Sequence, residues 1–309
     1  MSLKPTSRPR SSRGSSLKRV EARWGVIFAL PAILGFVIFT VGPMIASLVF
    51  SFTDWRIGDQ PSFVGVDNYV QMAEDPLFWK SLTVTTYYTI GAVPLGLIVA
   101  FLVAMLVNSG FRFQSLWRTI YYLPTLVPAI ANAVLWIWIF NPDFGLLNTL
   151  LRSAGLPESQ WIYAEETAVP SLIIMSTWGF GNGMVIFLAG LQGVPRQLYE
   201  AVGIDGGGTW AKFRHVTWPY MTPVIFYNLV TGMIGTFQVF NQAYVMTEGG
   251  PNNATLFYIY YLYTQAFTDA EMGYASALAW VLFIIVLVVT ALLFRNARSW
   301  VFYEMGDAR

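Results

Sequence analysis

Apolar residues in this chain gather into six long stretches, at about 25–50, 82–107, 116–140, 169–191, 220–245 and 274–294. A bilayer core about 30 Å thick is crossed by roughly 20 apolar residues in a helix. Each stretch therefore predicts a membrane-spanning helix. The expected fold class is all-α: a polytopic membrane protein with six transmembrane helices over 24–296. A Ser-rich basic tail, 1–23, is expected to be disordered, and a second short tail follows at 297–309. The first stretch is too long for a signal-peptide core and lacks a small-residue cleavage site, so it reads as a retained span. Local signals refine the pattern. Asp75 is placed to cap a helix whose first residue is Pro76, leading into the second span. Pro124 and Pro128 each remove a helix hydrogen bond and predict a bend in the third.

Composition agrees with a membrane chain. Of 309 residues, 55% are hydrophobic and 11% charged, against about 25% charged in an ordinary soluble domain. The net charge of +1 gives no nucleic-acid surface. With no cysteine, disulfides, thiolate metal sites and cysteine nucleophiles are excluded. A single histidine, His215, excludes a histidine-rich metal site. The placement of positive charge predicts topology. With the N-terminus inside, fifteen of the eighteen basic residues fall on the inner side, leaving only Arg56, Lys80 and Arg152 outside. Retention of Lys and Arg on the cytoplasmic side sets orientation, so the expected topology is N-in, C-in. Acidic residues collect in the outer loops 51–81, 141–168 and 247–273. They read either as a binding surface or as a solvated face left over from the basic-inside bias.

The interiors of the apolar stretches are read as free of ionisable residues, which commonly mark proton relays and ion-coupled pathways. The sequence holds no G-x-x-x-x-G-K-[ST], H-E-x-x-H or G-x-S-x-G motif. No catalytic residue, metal ligand or cofactor is expected in this chain, and any transport it performs would draw energy from another subunit. Uncharged polar residues do occur at depth. Thr231, Gly235, Gln238 and Gln242 fall on one helical face, flanked by Thr236 and Asn241. Ser176, Thr177, Trp178 and Asn182 surround the run WGFGNG. From these, Ser176, Trp178, Asn182, Gln238, Asn241 and Gln242 are candidates for a solute pathway. Amides and hydroxyls beside an aromatic ring suit sugar hydroxyls. The same residues also suit helix–helix packing, and both readings stand.

The segment 195–219, PRQLYEAVGIDGGGTWAKFRHVTWP, interrupts the apolar pattern with charge and glycine. Pro195 starts a short helix with an apolar stripe of Leu198, Tyr199, Val202 and Ile204. Gly206, Gly207 and Gly208 end it, since glycine tolerates positive φ. Thr209 is placed to cap a second helix carrying Trp210, Lys212 and Phe213, and Thr217 to cap the fifth span. Such a helix–turn–helix either rests on lipid or docks a soluble partner.

This segment resembles the EAA loop of ABC importer permeases, E-A-A-x3-G-x9-I-x-L-P. Glu200, Ala201, Gly206 and Pro219 match; Val202, Val216 and Trp218 depart from it. LYEAVGIDG, FRHVTWP, YVMTEGGPNNAT, MGYASALAWVLF, SFTDW and VGVDNY are similar to segments of the maltose-type, binding-protein-dependent sugar permeases. The resemblance covers most of 25–295. It implies a type I ABC importer bundle with a peripheral first span. It also implies a second homologous permease, a cytoplasmic ABC ATPase dimer that holds ATP and magnesium, an extracytoplasmic substrate-binding protein, and the bacterial cytoplasmic membrane. On this resemblance Glu200 would contact the ATPase and Gly206 would supply the turn. Tyr199, Ala201 and Val202 would pack at the interface, with Asp205 beside them. The solute would be a sugar, a di- or oligosaccharide. The rival reading is a self-sufficient secondary sugar transporter or facilitator.

Overall fold

The computed structural model describes residues 13–110 and 112–302, the side chains of 13–19 excepted. Residues 1–12 of the N-terminal tail and 303–309 of the C-terminal tail lie outside the described residues. Apart from a single β-bridge between Thr53 and Phe63, the described residues form helices, turns and loops. Three helices, Val20–Phe50, Pro76–Asn108 and Met272–Ala297, are long and apolar enough to cross a membrane, or up to five if each of two bent helix pairs counts as one span. This is the architecture of a multi-pass membrane protein.

The first helix, α1 (Arg13–Phe36), begins inside the segment expected to be a disordered tail and continues through a π turn into α2 (Gly42–Phe50). None of its apolar window is buried. It meets the rest of the chain where Trp280 Nε1 donates to Ser47 Oγ at 3.1 Å. Helix α3 (Asp67–Glu74) then leads to α4 (Pro76–Asn108), the central post. Asp75 caps α4 as its sequence predicts: Asp75 Oδ1 accepts from the Leu77 amide at 2.8 Å, with Pro76 in the first position. Along α4, Val84, Tyr88 and Ala92 enter one apolar cluster, while Ala100, Phe101, Ala104 and Val107 enter another nearer the Asn108 end.

Two expected spans are broken. Helices α5 (Gln114–Tyr122) and α6 (Ala129–Ile139) meet at 95°. The two prolines explain this. Pro124 sits in a tight 3₁₀ turn, and Val127, preceding Pro128, is driven into an extended conformation (ψ 127). After α7 (Leu146–Ser153), helices α8 (Glu165–Ser176) and α9 (Gly181–Gly193) are bent by 48° across Thr177–Gly179. Glycine permits the packing there. A Cβ on Gly181 would lie 2.9 Å from the Tyr121 carbonyl oxygen, and one on Gly183 would lie 3.2 Å from Ala100 Cβ. In the 141–168 loop, the Arg152 Nε–H donates to Glu158 at 2.8 Å, and this bond holds the Glu158 carboxyl below the usual carboxylate range.

Helices α10 (Arg196–Ile204) and α11 (Thr209–Lys212) form the polar insert. Neither expected threonine cap forms. Thr209 is the first residue of α11 rather than its cap. At Thr217 the chain passes through a π turn, Phe213–Thr217, straight into α12 (Trp218–Phe237). Helix α12 falls outside the helices that qualify as spans, because Thr222, Asn228, Thr231, Gly232, Gly235 and Thr236 dilute its apolar content. It stops at Phe237, with Gln238 at φ −104, ψ 19.

The 247–273 loop, read from the sequence as either a binding surface or a solvated face, carries a buried insert. Phe257 and Tyr258, at the start of α13 (Tyr258–Tyr263), are fully buried. The Tyr258 amide donates to Thr85 Oγ1 of α4, and its hydroxyl donates to the Leu278 carbonyl of α14 (Met272–Ala297), each at 2.9 Å. Asp75 Oδ2 accepts from the hydroxyls of Tyr261 and Tyr274, which ties this insert and α14 to the start of α4. Beyond α14 the chain turns back. Val301 is buried beside Phe226, and the Phe302 amide donates to Thr222 Oγ1 at 2.9 Å. Part of the expected C-terminal tail is thus docked on α12.

Candidate functional site

Two surfaces concentrate the candidate residues. The first is α10 and its turn. Pro195 (ψ 129) sets the helix start. At the other end Gly206 has φ +77, its amide donates to the Gly203 carbonyl at 3.1 Å, and the Gly207 amide donates to the Val202 carbonyl at 2.8 Å. This pair of bonds is a Schellman closure, in which a left-handed residue satisfies the last carbonyls of the helix. Leu198, Tyr199 and Val202 are half-buried, and Tyr199 Oη lies 3.1 Å from Thr217 Oγ1 at the base of α12. Tyr199, which the resemblance assigns to interface packing, thus also braces the loop against the body of the chain. Glu200, Ala201, Asp205 and Gly206 are exposed. Ile204 leaves the predicted stripe and is 87% exposed, and Trp210 is 70% exposed. Exposed large apolar side chains on this helix–turn–helix, with the exposed Glu200 carboxylate, form a surface suited to a protein partner.

The second surface is a cleft of about 410 Å³ between α4, α9 and α12. Ser176, Asn182, Asn228, Thr231 and Thr236 supply its polar atoms, and Gly96, Gly179, Gly183 and Gly232 widen it. The hydroxyls donate to their own helices: Ser176 to the Ile173 carbonyl at 2.6 Å, Thr231 to that of Tyr227 at 2.9 Å and Thr236 to that of Met233 at 3.0 Å. Their oxygens remain as acceptors, and the exposed Asn182 amide offers both functions. Asn182 and Ile186 also line an adjoining cleft of about 460 Å³ with Arg118, Thr119 and Tyr122.

The structure does not gather all six pathway candidates. Ser176 and Asn182 share the first cleft. Gln238 lies instead in an apolar groove of about 400 Å³ with Ile259, Leu262, Leu282 and Phe283. Because α12 stops at Phe237, Gln238, Asn241 and Gln242 do not continue the face of Thr231 and Gly235. Asn241 is exposed and Gln242 half-buried. Trp178 is half-exposed and meets Trp136 edge-on at 6.1 Å. Two residues were not chosen as site candidates from the sequence, and one of them, Arg118, corrects the reading of the apolar stretches as free of ionisable residues. Asn228 is buried in the cleft, its amide donating to the Val224 carbonyl at 2.9 Å. Arg118 lies within the third apolar stretch, and its buried Nε has no hydrogen-bond partner. Only its position two residues into that stretch signalled it.

A multi-pass helical bundle with an exposed helix–turn–helix on one side and an uncharged polar cleft inside defines a membrane transport component. The chain belongs to the family described as binding-protein-dependent transport system inner membrane component, whose model matches residues 92–299. That range includes α10 and the cleft. The chain is 41% identical over 288 residues to a probable ABC transporter permease protein, YesP, of Bacillus subtilis, covering 92% of this chain and 93% of that one. It is 36% identical to the lactose transport system permease protein LacF of Rhizobium radiobacter, covering 92% and 97%. Its fold is shared with a chain in the crystal structure of a bacterial alginate ABC transporter in complex with its alginate-bound periplasmic protein (TM-score 0.80, 22% identity, 92% and 96% covered).

Proposed function

We propose that this chain is a membrane subunit of an ATP-driven sugar importer and forms half of the pathway for a di- or oligosaccharide. In this reading it crosses a bacterial cytoplasmic membrane six times, N-in and C-in, and pairs with a second, homologous permease. A binding protein delivers the sugar from outside. ATP and magnesium act on a cytoplasmic ATPase dimer, whose closure moves α10 and, through the continuous α11–α12 connection, the spans.

The observation that carries the reading is the exposed face of α10. Glu200 and Ala201 project there beside Ile204, on a helix closed by Gly206 and braced by Tyr199 and Thr217. Lactose transport by a relative of nearly the same length supports a sugar as solute, as does the uncharged, acceptor-rich cleft. The continuous connection explains how motion at α10 reaches the cleft: α12 carries Asn228, Thr231 and Thr236, and no loop separates it from α11.

Reconstitution tests the reading. The chain alone in liposomes should move no sugar, and uptake should require the ATPase, the second permease and ATP. Robust uptake by the chain alone would instead establish a self-sufficient transporter.

A further inference from the structure

Beyond the break at Gln238 the chain carries a cluster of aromatic rings that none of the surfaces above accounts for. Phe240 and Tyr244 are stacked with centroids 5.1 Å apart. Tyr263 lies 5.1 Å from Phe240 and 5.4 Å from Tyr244, edge-on to the latter. Phe267, on the π turn that extends α13, adds a fourth ring 5.1 Å from Tyr263. The cluster is not closed off: Tyr244 is 47% exposed and Phe267 60%.

Aromatic rings at the end of a span commonly sit in the lipid interface. The neighbours of these rings argue otherwise. Asn241, three residues before Tyr244, and Gln238, one turn further back, are exposed on the same segment within the proposed fifth span. Hydrocarbon has nothing to offer an amide, and polar side chains at such depth face the bundle interior or a water-filled cavity. Asn241, exposed and one turn before the open ring of Tyr244, therefore marks a wet face.

One ligand chemistry uses both parts. A sugar ring presents a face of C–H groups and an edge of hydroxyls. The face packs on the negative face of an aromatic ring, and the hydroxyls exchange hydrogen bonds with amides, which donate and accept at once. Tyrosine and phenylalanine also hold their contact area at low entropic cost, with two side-chain torsions each.

We propose that Tyr244 and Phe267, backed by Phe240 and Tyr263, form a ring-stacking station at the outer end of the pathway. It receives a neutral sugar ring as the binding protein releases it, and Asn241 takes the hydroxyl edge. The station rests on the sugar reading above and adds to it where the sugar first binds the permease and by which face.

The test is saturation-transfer NMR on the assembled transporter in nanodiscs, without binding protein. The probe is an unfractionated mixture of oligosaccharides from hydrolysed starch, xylan and pectin. Wild type should saturate C–H protons on one face of the sugar rings. Tyr244→Leu and Phe267→Leu should each lower that signal about threefold or more, while Tyr244→Phe keeps it. Phe267 is exposed, so its variant keeps the test alive if Tyr244→Leu fails to fold. Equal signals from both Leu variants and wild type overturn the station. So does loss of the second permease from the Phe267→Leu complex, which makes the rings a subunit contact. A wild type that binds nothing in the mixture overturns the sugar reading itself.

Discussion

The three consecutive glycines after α10 fill different structural roles, and alanine at each separates them. Gly206 has φ +77 with open space around it, so its requirement is conformational. Alanine in that left-handed well costs about 1–2 kcal/mol, which depletes the native turn about 5–30-fold relative to alternatives. Gly207 is limited by space. A Cβ there would lie 2.8 Å from the Val202 carbonyl oxygen and 2.6 Å from Val202 Cγ1, on the very carbonyl that accepts its amide. Relieving that contact lengthens the closing bond, at about 1–3 kcal/mol for overpacking. Gly208 is extended (φ −78, ψ −171) with nothing nearby. Alanine is accommodated there and gains about 0.4–1 kcal/mol by restricting the unfolded chain. The assay is ATPase retained per permease on purification, with binding-protein-stimulated ATP hydrolysis on the same samples. Gly206→Ala and Gly207→Ala should lower both, and Gly208→Ala should leave both intact. Equal damage from Gly208→Ala, or wild-type behaviour of Gly207→Ala, would refute the claim that turn geometry positions the coupling face.

Other perturbations probe the remaining surfaces. A Cβ on Gly273 would meet the Thr53 carbonyl oxygen at 2.0 Å, so Gly273→Ala should destabilise the chain in detergent by about 1–3 kcal/mol; an unchanged melting temperature would mean that the Thr53 segment does not pack closely on α14. Asn182→Ala and Gln238→Ala should raise the KM for sugar uptake while leaving the complex assembled. Each removes about 0.5–1.5 kcal/mol of hydrogen bonding, or about 2–13-fold, and wild-type kinetics in both would assign these amides to packing. Thr85→Val leaves the buried Tyr258 amide without its acceptor; it should cost about 1–3 kcal/mol, read as a lower melting temperature, and no change would show that the insert is held elsewhere.

What the sequence reveals follows the range of the interactions involved. The cap at Asp75, the breaks at Pro124 and Pro128 and the turn at Gly206 were legible because each depends on neighbours in the chain. The motif around Glu200 placed the exposed helix for the same reason. The buried insert at 255–266 was not legible, since its satisfaction comes from Thr85 and Leu278, far away in sequence. Nor was the stop at Phe237. A helical repeat through Thr231, Gly235, Gln238 and Gln242 assumed an unbroken helix, and the interruption moved Gln238 into a different groove from Asn182. Asn228 looked like one more polar residue in α12 until the approach of Gly183 placed it in the cleft.

The central claim is that the exposed face of α10 docks an ATPase inside the cell. The chain has no cysteine, so Ala201→Cys introduces a single thiol on that face. With one cysteine in the docking cleft of the ATPase, oxidation of the assembled transporter in inverted vesicles should give a disulfide-linked permease–ATPase product whose yield changes on adding ATP. Failure of Ala201→Cys to cross-link in an intact complex, with labelling by an impermeant maleimide from the outer side only, would contradict the account.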